Sequence, residues 1–262
     1  MASGKSIRMQ RITSSGRMVC IPMDHGVSAG PIQGLENPEQ IIRKIEQGGA
    51  TAILAQKGIF KALSAPTKIG MIVHLTGSTE IGPAPNRKML VGSVEESIRL
   101  GADAVSVHIN IGSKEEPEML ELLGRVADEC DSWSMPLVAM MYPRGEKISN
   151  PFDPTIVGHV ARVGAELGAD LVKTVYTGDV KSFERVVRSC PVPIVVAGGP
   201  KADTDRAVLE LAHDVIQAGA VGVTFGRNIF QHKRPDLITK AISRVVFKGA
   251  SVKEALEVIG PG

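Results

Sequence analysis

The chain has 262 residues, of which 43% are hydrophobic and 22% are charged, which is the balance expected of a globular protein. Its formal net charge of +2 is too small to indicate a nucleic-acid-binding protein. No apolar segment approaches the roughly 20 residues of a membrane-spanning helix, and residues 1–10 lack the apolar core of a secretory signal. We therefore expect one cytoplasmic domain, residues 1–262, that binds neither membranes nor nucleic acid.

The three cysteines are far apart in the sequence, at Cys20, Cys130 and Cys190, and no CxxC motif is present. Because cysteines of intracellular proteins are usually reduced and buried, we expect free thiols rather than disulfides or metal ligands.

Four segments of the chain repeat one pattern, in which a helix-like stretch ends at a Gly-Ala pair and a short aliphatic run follows. The pairs lie at residues 49–50, 101–102, 168–169 and 219–220. Glycine commonly ends a helix, and a short aliphatic run is typical of a strand that is buried on both faces. The spacing between the pairs leaves room for two strand–helix units in each interval.

Four more short apolar segments lie before the first pair and in the three intervals, which gives eight predicted strands near residues 18–23, 51–54, 69–74, 104–108, 137–141, 170–174, 193–197 and 221–225. Helices are predicted over Pro38–Gln47, 115–133, 154–167, 182–188 and 204–218, with Asp179 and Asp203 as N-cap residues. This alternation predicts an α/β fold of the (β/α)8 TIM-barrel type. A doubly wound sheet would need a glycine fingerprint after the first strand, where the sequence has Asp24-His25-Gly26.

Active sites of such barrels lie at the carboxyl ends of the strands. Nearly every predicted strand of this chain ends in polar or ionisable residues: Asp24-His25, Gln56-Lys57, His74, His108-Ile109-Asn110, Tyr142-Pro143-Arg144, Lys173, Gly198-Gly199 and Gly226-Arg227-Asn228.

Lys173 lies within an otherwise apolar predicted strand, and a buried lysine is costly unless it is paired or deprotonated. Desolvation and nearby cations would lower the pKa of Lys173, so that its free amine could attack a ketone. The resulting imine withdraws electrons from a neighbouring carbon–carbon bond, which can then cleave. A structural lysine paired with Asp24 is the alternative. We favour the Schiff base because a predicted phosphate site accompanies Lys173.

That phosphate site is predicted in the turns after the seventh and eighth strands, which contain Gly198-Gly199 and Gly226-Arg227. Glycines let a phosphate approach backbone N–H groups, and Arg227 can add positive charge. The alternative is that these glycines serve turn geometry alone.

Asp24 and Tyr142 end two other predicted strands and are candidates for proton transfer, since a carboxylate can accept a proton and a phenol can donate one. Taken alone, Asp24 is more simply explained as a helix cap, and Tyr142 as a tyrosine at the edge of the core. The histidines His25, His74 and His108 suggest a metal site, but no His-x-His motif follows the first strand. We therefore predict no metal and expect His25 to bind the substrate or its phosphate.

Five motifs resemble the archaeal-type class I aldolase family: residues 22–31 (PMDHGVSAGP), 141–145 (MYPRG), 172–179 (VKTVYTGD), 197–201 (AGGPK) and 226–231 (GRNIFQ). Within the family, residues 103–110 and 137–145 resemble the enzymes of methanogenic archaea that carry out a transaldol reaction. Fructose-bisphosphate aldolases tend to carry an acidic–His pair where this chain has Ser28-Ala29. A related thiolase of quorum-signal breakdown lacks the Tyr-Pro-Arg-Gly motif.

The resemblance implies a transaldol reaction that needs no cofactor. Lys173 would form a Schiff base with 6-deoxy-5-ketofructose 1-phosphate, release hydroxypyruvaldehyde phosphate, and transfer the remaining three carbons to L-aspartate 4-semialdehyde. The product would feed 3-dehydroquinate and aromatic amino acid synthesis. The resemblance also implies a homo-oligomer, with a decamer as one such assembly.

In this family comparison Asp24 resembles the proton acceptor and Tyr142 the proton donor. The substrate-contact residues that the resemblance implies are Asp24, His25, Gly26, Val27, Ser28, Tyr142, Pro143, Arg144, Gly198, Gly199, Gly226 and Arg227.

Three other functions stay open from the sequence. A fructose-1,6-bisphosphate aldolase would use the same residues and a second phosphate site, for which Lys57 is the candidate cation. A non-catalytic phosphosugar-binding barrel would bind its ligand without a covalent adduct. A metal-dependent hydrolase would lose its activity in a chelator.

Overall fold

A computed structural model describes residues 3–260 and contains a closed barrel of parallel strands. The strands in chain order are β1 (Met18–Pro22), β2 (Ala52–Gln56), β3 (Gly70–His74), β4 (Thr76–Gly77), β5 (Met89–Leu90), β6 (Ala104–Ile111), β7 (Leu137–Pro143), β8 (Leu171–Thr174), β9 (Ile194–Ala197) and β10 (Gly222–Thr224). Around the barrel the order is β1, β2, β3, β6, β7, β8, β9 and β10, and β10 pairs with β1 to close it. The predicted (β/α)8 fold is confirmed, and each predicted strand overlaps an observed one.

Helices lie between the strands along the chain, and most of them cover the outside of the barrel. They are α1 (Gly4–Ile12), α2 (His25–Ala29), α3 (Pro38–Gln47), α4 (Lys57–Lys61), α5 (Val94–Arg99), α6 (Glu116–Ser132), α7 (Pro154–Glu166), α8 (Val180–Ser189), α9 (Asp205–Gln217), α10 (Arg227–Phe230), α11 (Pro235–Lys248) and α12 (Val252–Ile259). No helix within residues 3–260 combines the length and the apolar character needed to cross a membrane.

The helix predictions are confirmed with one exception at an N-cap. Asp179 caps α8 as predicted, because its carboxylate accepts a hydrogen bond from the backbone N–H of Ser182. The prediction of Asp203 as the cap of α9 is wrong. Thr204 occupies that position, and its hydroxyl oxygen accepts from the N–H of Ala207. Both side chains suit an N-cap, so the sequence alone did not separate these neighbours.

The barrel interior is a small aliphatic cluster that is distinct from the core between strands and helices. Along β8, Leu171 points into the interior cluster and Val172 into the outer core, as the alternation of side chains along a strand requires. Ile12 of α1 joins the interior cluster and is fully buried. The interior is therefore apolar near α1, and its polar groups gather at the opposite, carboxyl ends of the strands. All three cysteines are free and buried, as predicted.

One feature of the barrel was not predicted, a short antiparallel hairpin inserted between β3 and β6. It pairs Thr76 with Leu90 and Gly77 with Met89. The hairpin follows directly from the carboxyl end of β3, so residues 78–88 form a long loop at the same end of the barrel as the predicted site.

Candidate active site

A cavity of about 500 Å³ opens at the carboxyl ends of the barrel strands. Most of the residues that the sequence singled out line it: Asp24, His25, Ser28, Tyr142, Arg144, Lys173, Gly198, Gly199, Gly226 and Arg227. The structure therefore brings together residues from five different strand ends, as the fold predicts.

Three predicted substrate-contact residues, Gly26, Val27 and Pro143, lie outside the lining of this cavity. Residues 25–29 form one helical turn, so only His25, Ser28 and Ala29 face the cavity, which matches the i, i+3, i+4 spacing of a helix face. Gly26 and Val27 lie on the other faces of this helical turn. Pro143 is buried at the end of β7.

Lys173 is 5% exposed and lies on β8 between Met140 of β7 and Val195 of β9. Burial lowers the pKa of Lys173, but electrostatic interactions with Tyr142, Asp24 and Cys20 and a hydrogen bond to Tyr142 raise the pKa by more. The predicted lowering of this pKa is therefore wrong, because the groups that act on the amine are acidic rather than cationic. The amine is an ammonium in the free protein and must lose a proton before it attacks a ketone.

Asp24 follows β1 and occupies the N-cap position of α2, yet its side chain makes no capping hydrogen bond. Its two carboxylate oxygens lie 3.9 Å from Nδ1 of His25 and 4.0 Å from Nε2 of His74. Burial raises the pKa of Asp24, but His74, Lys173 and His25 lower it by more. Asp24 is thus an ionised carboxylate beside the lysine, with its oxygens available to accept a proton.

The imidazole of His74, next to Asp24, is held by two hydroxyl groups. Its Nδ1 lies 2.8 Å from Oγ of Ser106, and its Nε2 lies 3.1 Å from Oγ1 of Thr76. Burial lowers the pKa of His74 to about 4, with a further contribution from Lys173, so this histidine is neutral at physiological pH. Within residues 3–260, no group of three histidine, cysteine or acidic side chains is arranged to hold a metal ion.

The ring of Tyr142 contacts two other side chains. The ring of His108 packs edge-on against it with centroids 4.9 Å apart, and the guanidinium carbon of Arg144 lies 5.5 Å from its centroid. His108 Nε2 lies 2.8 Å from Oδ1 of Asn110, whose Nδ2 donates to the carbonyl of Asn86. Because the amide oxygen only accepts hydrogen bonds, Nε2 of His108 carries the proton.

The predicted phosphate turns lie side by side after β9 and β10. The guanidinium of Arg227 donates to the carbonyl of Gly199 over 3.0 Å, and its buried Nε has no partner among the described residues. Gly199 has a φ of +65°, which favours glycine. A Cβ on Gly226 would lie 2.8 Å from Cε1 of His25, so this turn and α2 approach each other closely.

The sequence analysis missed the cavity residues that the β4–β5 loop supplies: Ser78, Glu80, Pro85, Asn86 and Lys88. The expected cation, Lys57, pairs instead with Glu96 over 2.8 Å and does not line the cavity, whereas Lys88 does. One signal was available, since a stretch of about 15 residues or more without periodicity is often a functional loop. Residues 75–93 between the third and fourth predicted strands are such a stretch.

Comparison with known proteins identifies the family. The profile of the DeoC/LacD family aldolases matches residues 18–232. The chain belongs to the DeoC/LacD family of aldolases. This aldolase is 43% identical over 260 residues to the 2-amino-3,7-dideoxy-D-threo-hept-6-ulosonate synthase of Halobacterium salinarum, with 98% of this chain and 97% of that protein covered.

The aldolase is also 40% identical over 246 residues to the 2-amino-4,5-dihydroxy-6-oxo-7-(phosphonooxy)heptanoate synthase of Streptomyces griseus, with 92% of this chain and 90% of that protein covered. Among solved structures, it is similar to an archaeal fructose-1,6-bisphosphate aldolase whose catalytic lysine is covalently bound to the carbinolamine intermediate. The TM-score is 0.87 at 33% identity, with 92% of this chain and 99% of that chain covered. The resemblance to class I aldolases is confirmed, and the chain is an enzyme of the aldolase class.

Proposed function

We propose that this aldolase is a 2-amino-3,7-dideoxy-D-threo-hept-6-ulosonate synthase. It would transfer three carbons from 6-deoxy-5-ketofructose 1-phosphate to L-aspartate 4-semialdehyde and release hydroxypyruvaldehyde phosphate. The observation that carries the proposal is the 43% identity to the Halobacterium synthase across 98% of the chain. The buried Lys173 beside Asp24 and Tyr142 supplies the chemistry.

The first half of the reaction makes and then uses the imine. The ammonium of Lys173 first gives a proton to a neighbouring base, for which the ionised Asp24 is the candidate. The amine then adds to the donor ketone, and loss of water gives the imine. A base removes the proton from the donor hydroxyl, the carbon–carbon bond breaks, and its electrons move into the imine to form an enamine. The aldehyde fragment leaves.

In the second half of the reaction, the enamine forms a new carbon–carbon bond with the acceptor aldehyde. The enamine carbon attacks the aldehyde of the acceptor, and Tyr142 gives a proton to the forming alkoxide. Water then hydrolyses the new imine, which frees the product and restores the amine of Lys173. The closeness of Tyr142 to Lys173, which raises the pKa of the lysine, supports this assignment, because it places the phenol near the amine that carries the enamine.

The remaining cavity residues would bind the substrates. Gly199 and Gly226 would offer backbone N–H groups to the donor phosphate, and Arg227 its guanidinium. Gly198 lines the same turn, but its N–H donates to the carbonyl of Thr224 over 3.3 Å. Burial lowers the pKa of His25, with Lys173 and Arg227 adding to the effect. A neutral His25, which lines the cavity, could hydrogen-bond the donor through its imidazole.

The second candidate is a fructose-1,6-bisphosphate aldolase. The chain is 34% identical over 249 residues to the class 1 fructose-bisphosphate aldolase of Thermoproteus tenax, and such an enzyme would use the same lysine. Its substrate carries a phosphate at each end, so it would need a second cationic site. The side of the cavity that contains Lys88 and Arg144 offers one.

Borohydride trapping with peptide mass mapping tests the proposal. The enzyme is incubated in a chelator with the deoxy-keto donor, with fructose 1,6-bisphosphate or with dihydroxyacetone phosphate. We expect a reduced adduct on the Lys173 peptide, strongest with the deoxy-keto donor, and none in Lys173→Arg, because a guanidinium stays protonated. Preference for the bisphosphate would favour the second candidate. Absence of any adduct in the wild type would refute the Schiff-base mechanism.

The wider organisation of the enzyme is part of the same proposal. We infer one domain over residues 1–262, a cytoplasmic location with the other enzymes of amino acid synthesis, and assembly into a homo-oligomer.

An exposed apolar surface around the hairpin supports assembly, because grouped apolar surface often marks an interface. It consists of Ile81, Met89, Leu90 and Val91. Light scattering coupled to size exclusion would measure the number of copies.

A further inference from the structure

Three charged side chains line one side of the cavity and have no part in the mechanism described above. Glu80 and Lys88 belong to the β4–β5 loop, and Arg144 follows β7. The turn with Arg227 follows β10, which is separated from β7 by β8 and β9 on one side and by four strands on the other. The cavity therefore has charged groups on two separate sides.

The β4–β5 loop is held in place by contacts with its surroundings. The backbone N–H of Glu80 donates to the carbonyl of Ser28 over 2.9 Å, which ties the loop to α2. The ammonium of Lys88 donates to the carbonyl of Pro85 over 3.0 Å and to Oγ of Ser78. Asn110 of β6 donates to the carbonyl of Asn86 over 2.8 Å. The loop thus presents its charges in a fixed arrangement, as a binding site requires.

Within residues 3–260, no carboxylate pairs with the cations on this side of the cavity. Lys88 is 8% exposed, and among residues 3–260 neither Lys88 nor Arg144 has a carboxylate within the 4.0 Å of an ion pair. Burial and the nearby Arg144 lower the pKa of Lys88, while Asp24 and Glu80 raise it. Two neighbouring cations without a paired carboxylate favour the binding of an anion.

Glu80 gives the site a second, opposite charge. Its side chain is exposed at the cavity rim and close enough to Lys88 to influence its pKa, but it forms no ion pair within the described part of the chain. A ligand whose charges complement those on this side of the cavity would therefore carry a negative and a positive group close together. An α-amino acid has this combination on a single carbon.

We propose that Glu80, Lys88 and Arg144 form a subsite for the α-amino acid end of the acceptor aldehyde. Glu80 receives the ammonium, and the two cations receive the carboxylate. The inference rests on the proposed function, in which the acceptor is L-aspartate 4-semialdehyde. In that molecule the carbon with both charges lies two bonds from the aldehyde carbon, so the subsite holds the aldehyde near the enamine on Lys173.

Glu80 is then a specificity-determining residue. A phosphorylated aldehyde such as glyceraldehyde 3-phosphate has no ammonium to offer, and the carboxylate of Glu80 repels its phosphate. A site that attracts one ligand and repels its competitor separates the two more strongly than attraction alone. The same residue therefore separates an enzyme that makes an amino sugar acid from an aldolase that makes a bisphosphate.

The test replaces Glu80 with Gln, which removes the charge from an exposed side chain and leaves the fold unchanged. We expect KM for L-aspartate 4-semialdehyde to rise about 10-fold or more, the loss typical of one charge-assisted contact. KM for succinate semialdehyde, which has the carboxylate but no ammonium, should stay the same. The donor adduct on Lys173 should form as in the wild type. Glu146→Gln, an exposed residue outside the cavity lining, is the matched control.

Lys88→Met tests the other half of the subsite and should raise KM for both semialdehydes, while Lys88→Arg should restore binding in part. If Glu80→Gln keeps the wild-type preference for aspartate semialdehyde over succinate semialdehyde, the subsite is overturned. The proposed function would still stand in that case, provided that the wild-type enzyme forms the adduct and the product. A wild-type enzyme without an adduct would refute the function itself, and with it the subsite.

Discussion

The imidazole of His108 packs edge-on against the phenol of Tyr142, with the ring centroids 4.9 Å apart and the ring planes at 60°. Arg144 approaches the same phenol ring, and Tyr142 is close enough to Lys173 to raise the pKa of its amine. The phenol is thus fixed in position next to the amine. A proton donor gains from this arrangement, because catalysis falls steeply when a reacting group is misplaced.

Tyr142→Phe should lower kcat by about 10²- to 10⁴-fold, the usual contribution of a positioned acid or base. The ring would still pack against His108, so the fold should be unaffected. Steady-state turnover measures the loss, and borohydride trapping should still find the donor adduct on Lys173. A Phe variant with wild-type kcat would remove Tyr142 from proton transfer.

Arg227→Gln should raise KM for the phosphorylated donor by about 10- to 100-fold, because one charged hydrogen bond to the phosphate is lost. KM for the acceptor should change little, since the proposed acceptor subsite lies on another side of the cavity. Initial rates with each substrate varied in turn separate the two effects. Lys201→Gln, an exposed neighbour outside the cavity lining, is the control. Equal effects on donor and acceptor would argue against a phosphate site at Arg227.

His74 should make the stability of the protein depend on pH. Its pKa is lowered by burial from an ordinary 6.5 to about 4, so between these values the unfolded chain binds a proton that the folded protein does not. Stability is therefore lost as the pH falls from about 6.5 towards 4. Urea unfolding at pH 7 and pH 5 should show a smaller difference for His74→Asn than for the wild type. His159→Asn, at an exposed site on α7, should keep the wild-type difference.

Two glycines should respond to alanine in opposite ways. A Cβ on Gly222 of β10 would lie 2.0 Å from the carbonyl oxygen of Met18 on β1, and crowding of this kind costs about 1–3 kcal/mol or more. A Cβ on Gly124 of α6 meets no atom of the described residues within 4 Å, and alanine in a helix interior is favoured over glycine by about 0.8–1.0 kcal/mol. Thermal unfolding of Gly222→Ala and Gly124→Ala should therefore shift in opposite directions, and a tolerated Gly222→Ala would contradict the close approach of β1 and β10.

Several features of this enzyme follow from the sequence alone. The Gly-Ala helix ends and the aliphatic runs after them predicted the strands, because glycine ends helices and buried parallel strands are continuously apolar. These are local patterns. The fold in turn placed Asp24, Tyr142, Lys173 and Arg227 together, since the carboxyl ends of all barrel strands meet on one face.

Other features depended on distances between residues that are far apart in the chain. The sequence predicted a lowered pKa for Lys173, but the direction depends on the surrounding groups, and Tyr142 and Asp24 raise the pKa by more than burial lowers it. Lys57 was the expected cation at the mouth, yet Glu96 binds it and Lys88 faces the cavity instead. Electrostatic interactions fall with distance, and a sequence does not contain that distance. The tertiary structure therefore decided the charge of the site, whereas the sequence decided its location.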